Sequence, residues 1–279
     1  MIEKSIKKPL LKAILFYLIL DALMFLVYVV VTSLQIEPYT NILFVVLHAS
    51  FVAVSIMIGI VIIKKFKWKF SDIGIRGIEK KSLKNTFYLI PFFIIVMLPL
   101  FAGFRDNDTN VSTFKILLFL GIHYIVVGIH EEFWYRGIIL SLFEDNIKKA
   151  IIIPAIIFGI GHVTNIIHIL NDLTLSNIMS LMEQMIFAFI IGVVYAEVLV
   201  ITKSIFPLIF FHTVWNFNAT ITNEDSFIMG VIPWLLLILY AILMWIKLTK
   251  KAQTAHNRIV NASPSEGGSG YEKHQSGVR

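Results

Sequence analysis

Eight long apolar runs limit what this chain can become: about 10–34, 42–63, 86–104, 114–143, 150–170, 175–201, 204–222 and 227–247. A helix needs roughly 20 apolar residues to cross the ~30 Å hydrocarbon core of a bilayer, and most of these runs reach that length. Apolar residues make up 57% of the chain and the mean hydropathy is +0.81. Charged residues are only 15%, against about 25% in ordinary globular proteins. The sequence therefore predicts an all-α membrane protein, one bundle of about eight transmembrane helices. Its 279 residues leave no room for a sizeable soluble domain.

The cations then orient the bundle. With the N-terminus in the cytoplasm, 21 of the 24 Lys and Arg residues fall on the cytoplasmic side, and only Arg105 and Lys115 on the other. By the positive-inside rule this bias predicts an N-in, C-in arrangement in the cell membrane. The net charge of +6 thus faces anionic lipid, and nucleic acid is not expected as a partner. The first run follows Lys4, Lys7 and Lys8 as a signal peptide would, but it is too long and no small-residue cleavage site follows, so it is expected to remain as an anchor. The expected organisation is two N-terminal helices (1–63), a basic cytoplasmic loop (64–85), a helical core (86–250) and a disordered tail (251–279). Within the loop, Lys64-Lys65-Phe66-Lys67-Trp68-Lys69 fits either a headgroup-level amphipathic segment or a solvated loop. The chain has no cysteine, which excludes disulfides, thiolate metal ligands and a cysteine nucleophile.

Three polar clusters interrupt the apolar runs: Glu131-Glu132-Phe133-Trp134-Tyr135-Arg136, Phe158 to His162, and His212-Thr213-Val214-Trp215-Asn216. Each charged group at a helix centre costs roughly 2.5–3.5 kcal/mol on insertion scales, so such groups are paired, hydrated or used in chemistry. Residues four apart share a helix face, which lets Glu132 pair with Arg136 and leaves Glu131 pointing elsewhere as the better catalytic candidate. His212 and Asn216 also share a face and can both donate hydrogen bonds to a developing oxyanion. Phe158 and His162 share another, with Gly159 and Gly161 allowing close helix approach. At ~1.5 Å per residue, Glu131, His162, His212 and Asn216 all lie roughly 12–18 Å from the cytoplasmic ends of their helices. One cavity at that level could hold all four.

At these positions the sequence resembles the CAAX protease and bacteriocin-processing family of intramembrane proteases, also called CPBP or Abi. The motifs are Glu131-Glu132-x-x-x-Arg136, Phe158-x-x-x-His162 and His212-x-x-x-Asn216, in that order across roughly residues 72–220. Gly192-x-x-Tyr195, Ser204-x-x-Pro207 and Ile73-Gly74-Ile75 add to the likeness. The resemblance implies an intramembrane endopeptidase. In it Glu131, helped by His162, activates water, His212 and Asn216 hold the oxyanion, and Glu132 and Arg136 orient the helix. The implied substrate is a membrane-associated peptide or protein, in peptide maturation, bacteriocin immunity or membrane regulation. The family is commonly labelled as metalloproteases, and Glu131, Glu132, His162 and His212 could ligate zinc. A metal-free mechanism is favoured, because His-Glu-x-x-His is absent and four protein ligands leave no position for the catalytic water. The alternatives are a noncatalytic scaffold that binds partner transmembrane helices and a small proton-coupled transporter. No internal repeat supports the transporter.

Other intramembrane polar residues are read as structural or interfacial: His48, His123, His130 and His168. Asp21 either contacts another helix or lines the cavity, Glu183 and Glu197 flank opposite ends of one span, and Phe133, Trp134 and Tyr135 are read as packing.

Overall fold

A computed structural model describes residues 7–36, 41–78, 87–102, 113–170, 172–222 and 231–262. All regular structure among them is helical: α1 (Pro9–Ser33), α2 (Ile42–Phe66), α3 (Leu89–Met97), α4 (Thr113–Glu131), α5 (Ile147–Gly161), α6 (Leu175–Thr202), α7 (Phe206–Ile221) and α8 (Ile232–Ala262). Six stretches are long and apolar enough to cross a membrane: those of α1, α2, α6 and α8, and α4 and α5 each taken with its continuation. The chain is a multi-pass membrane protein.

Two of the eight runs are shorter than expected. α3 tightens into a 3₁₀ turn over Leu98–Ala102, where Pro99 has no N–H to continue the ladder. α7 begins with Pro207 in its first turn and is 16 residues long, or about 24 Å. Two other runs change helix type at the polar clusters. α4 passes into a π-helix over Glu132–Ile139, and α5 into a 3₁₀ helix over His162–His168. Wide turns of the π type are rare and concentrate at functional sites. At the other end α8 reaches Ala262, so the expected tail boundary at 250 falls inside a helix. Arg105, loop residues 79–86 and tail residues 263–279 lie outside the described residues.

Small residues set the helix spacing. α5 packs along α6, and α7 along α4. A Cβ at Gly159 would stand 2.9 Å from the Met185 carbonyl oxygen, and one at Gly128 2.9 Å from Thr213 Oγ1. Hydrogen bonds then fix register. Thr213 donates to the Tyr124 carbonyl at 3.2 Å, the Tyr124 and Thr220 hydroxyls meet at 2.6 Å, and Asn218 donates to the Val96 carbonyl at 3.0 Å.

The segment after α2 is a packed loop over its described part. Ile73 is fully buried, and Gly74 takes a φ of 79°, a left-handed conformation costly for residues with a Cβ. Its carbonyl accepts from Ile205 N at 3.0 Å. Arg76 Nε donates to the Lys203 carbonyl at 2.8 Å, and Ser204 Oγ to the Arg76 carbonyl at 2.6 Å. The turn that launches α7 is therefore tied to this loop.

Candidate active site

Glu132 is fully buried at the start of the π-helix. Its Oε1 lies 3.2 Å from Arg136 Nη1, the pair that helical spacing predicts. The same oxygen stands 2.8 Å from His212 Nδ1, and His212 Nε2 stands 3.3 Å from Glu131 Oε2. Adjacent carboxylates on one helix thus share one imidazole on another, because the two ring nitrogens face different ways. The sequence reading left Glu131 separate from its neighbour and grouped His212 with Asn216; His212 in fact connects both acids.

Aromatic faces enclose the network. The Arg136 guanidinium sits 4.3 Å from the Phe158 ring centroid and 5.1 Å from that of Tyr195, close enough for cation–π attraction. The His212 ring lies 5.5 Å from Tyr195. Phe133, Trp134 and Tyr135 are all buried. Trp134 Nε1 donates to Ser55 Oγ at 2.6 Å, and the His130 ring reaches the same hydroxyl at 2.9 Å. These contacts lock the π-helix against α2. The aromatic trio packs, as its sequence context suggests.

His162 is placed by its own helix. Its Nδ1 lies 2.9 Å from the Phe158 carbonyl oxygen. A carbonyl only accepts, so Nδ1 carries the proton, and the lone pair of the neutral ring is on Nε2. Glu131, His162 and Asn216 line one cavity of about 340 Å³. The Glu131 side chain is 25% exposed, whereas that of Glu132 is 0%. The acid with access to water is therefore Glu131. The Asn216 carboxamide has no hydrogen-bond partner among the described residues.

The cavity also includes residues outside the three motifs, and of the two expectations for Asp21 it meets the second, lining the cavity. Tyr17 and Asp21 come from α1, His48 from α2, and His130 from α4. Asp21 alone carried a signal, as an isolated acid within an apolar run. His48 and His123 stack edge to face at 4.7 Å. Glu183 is exposed and Glu197 fully buried; neither lines the cavity. The side chain of His168 is outside the described set.

Among the described residues, the four candidates for zinc, Glu131, Glu132, His162 and His212, are not gathered around one point. Both His212 nitrogens face carboxylates, whereas His162, with Nδ1 bonded to a carbonyl, keeps Nε2 free. Among the described residues no three His, Asp or Glu side chains converge as metal ligands would.

Residues 113–218 match the family model described as type II CAAX prenyl endopeptidase Rce1-like. Over that segment the chain is similar to this family. The Rce1-like segment runs from the start of α4 into α7 and contains all three polar motifs. It supports an intramembrane endopeptidase acting on a membrane-associated peptide or protein. The helices α1, α2, α3 and α8 lie outside the Rce1-like segment. No curated protein matches the chain significantly.

Proposed function

We propose that this chain is a metal-free intramembrane endopeptidase in which Glu131 is the general base. The observation that carries the reading is the division of labour between the two acids: Glu132 is sealed against Arg136 and His212, while Glu131 is partly exposed to the cavity shared with His162 and Asn216. A water held by the His162 Nε2 lone pair gives its proton to Glu131 as its oxygen bonds to the peptide carbonyl carbon. The carbonyl becomes an oxyanion and accepts from the Asn216 amide. Protonation of Glu131 removes the negative charge that draws His212 Nε2, so a ring that carries a proton on each nitrogen, as its contacts with the two carboxylates require, offers Nε2–H as a second donor. Glu131 then passes its proton to the leaving nitrogen, the C–N bond breaks, and an acid and an amine result.

The cavity is taken to open toward the cytoplasmic side of the cell membrane, where the basic loops lie. The substrate is a membrane-associated peptide or protein, and the roles that suit such a reaction are peptide maturation, bacteriocin immunity and membrane regulation.

The test is cleavage of membrane peptides by purified wild type beside His212→Ala, with thermal unfolding in detergent to check each fold. Cleavage lost in a folded variant supports the reading. Cleavage indifferent to the substitution overturns it and favours a scaffold. Asn216→Ala is expected to slow turnover by roughly 100- to 1000-fold, the usual effect of losing one oxyanion donor. Chelation with 1,10-phenanthroline, followed by desalting and metal analysis, is expected to leave the rate unchanged. A loss restored by zinc would reject the metal-free mechanism.

A further inference from the structure

α1 precedes the Rce1-like segment by some eighty residues, yet it forms one wall of the catalytic cavity. Tyr17, Leu20, Asp21 and Met24 line it together with Glu131, His162 and Asn216. The helix is seated by close contact at Gly161, where a Cβ would stand 3.4 Å from the Tyr17 ring and 3.1 Å from the Tyr135 hydroxyl. Asp21 has no hydrogen-bond or ion-pair partner among the described residues.

The charge balance of the cavity is one-sided. Among the described residues two carboxylates, Asp21 and Glu131, face it, and no lysine or arginine does. Its other titratable walls are histidines and tyrosines, His48, His130 and His162 among them. The buried guanidinium of Arg136 is turned away, onto Glu132 and the Phe158 ring. An acid within a membrane span is costly unless it is paired, and such acids mark substrate pathways. Glu131 has His212; Asp21 has no counterpart within the described protein.

We propose that Asp21 is a specificity-determining residue, a subsite that takes the side chain of a substrate lysine or arginine near the scissile bond. The assignment rests on the endopeptidase reading above. Pairing on binding satisfies both charges at once and holds the peptide beside Glu131, so the positive charge selects the substrate and also fixes its register.

The experiment uses the full chain in nanodiscs and N-acetylated apolar peptides that carry one lysine, its norleucine isostere or one glutamate, scanned through successive positions. Both binding and cleavage are measured. Wild type is expected to prefer the lysine peptide by about tenfold or more in kcat/KM and in Kd, as for a hydrogen bond between charged groups. Asp21→Asn is expected to lose the preference, treating the lysine and norleucine peptides alike in kcat/KM and Kd, and Asp21→Lys to favour the glutamate peptide. An unchanged preference in Asp21→Asn, or an equal loss for all peptides, overturns the subsite. Charge-selective binding that depends on Asp21, with no peptide cleaved, would keep the subsite and reject the endopeptidase. Glu131-dependent cleavage with no charge preference would do the reverse.

Discussion

Glu131→Gln is expected to lower cleavage by about 100- to 10,000-fold, the range spanned by general-base catalysis, with little change in thermal stability. Glutamine keeps the size of the side chain and can still reach His212, but its amide cannot take a proton from water. The fold has little to lose at this position. The Glu131–His212 contact is long, at 3.3 Å, and the side chain is 25% exposed, whereas the 2.8 Å contact from His212 to Glu132 remains in place. The measurement is single-turnover cleavage of a membrane peptide in detergent and in nanodiscs, paired with unfolding curves. Undiminished cleavage by a folded Glu131→Gln protein would remove the base from the mechanism.

Arg136→Met is expected to act in the opposite manner, through the fold first. Glu132 is 0% exposed and Arg136 only 1%, so removing the guanidinium strands a carboxylate with His212 as its remaining partner. Breaking a buried ion pair in this way costs about 3–5 kcal/mol. The variant should unfold at markedly lower temperature and accumulate poorly. Replacing both partners, as Glu132→Gln with Arg136→Met, should recover much of the stability, because no uncompensated charge is left inside. Recovery of stability without recovery of cleavage would show that the pair also positions His212, since Glu132 is what the imidazole Nδ1 meets. A single Arg136→Met protein as stable as wild type would mean that the pair contributes nothing to the fold.

The contrast between these outcomes follows from how much of the site was legible in the sequence. Helical spacing placed Glu132 opposite Arg136 correctly, because an i,i+4 relation depends on one helix alone. The common depth of Glu131, His162 and Asn216 was also readable, since rise per residue is fixed, and the three share a cavity. The link from His212 to both acids spans 80 residues and two helices, and no periodicity reports which helices become neighbours. The helix breaks were hidden for a related reason. The polar clusters at Glu132 and His162 carry no sequence mark of a change in helix type, while the change to π and 3₁₀ geometry comes where Trp134 is pinned to Ser55 and His162 to the Phe158 carbonyl.

By itself, then, the sequence determined that the chain is helical and membrane-embedded, and that three motifs carry polar groups to one level. Hydropathy and the rise of a helix are local properties that survive any arrangement of the bundle. Tertiary structure alone decided that His212 lies between two carboxylates and that α1 brings Asp21 to the same cavity as Glu131. Those outcomes depend on which helix faces approach one another. That choice is made by small-residue contacts such as Gly128 against Thr213 and Gly161 against Tyr17, between residues far apart along the chain.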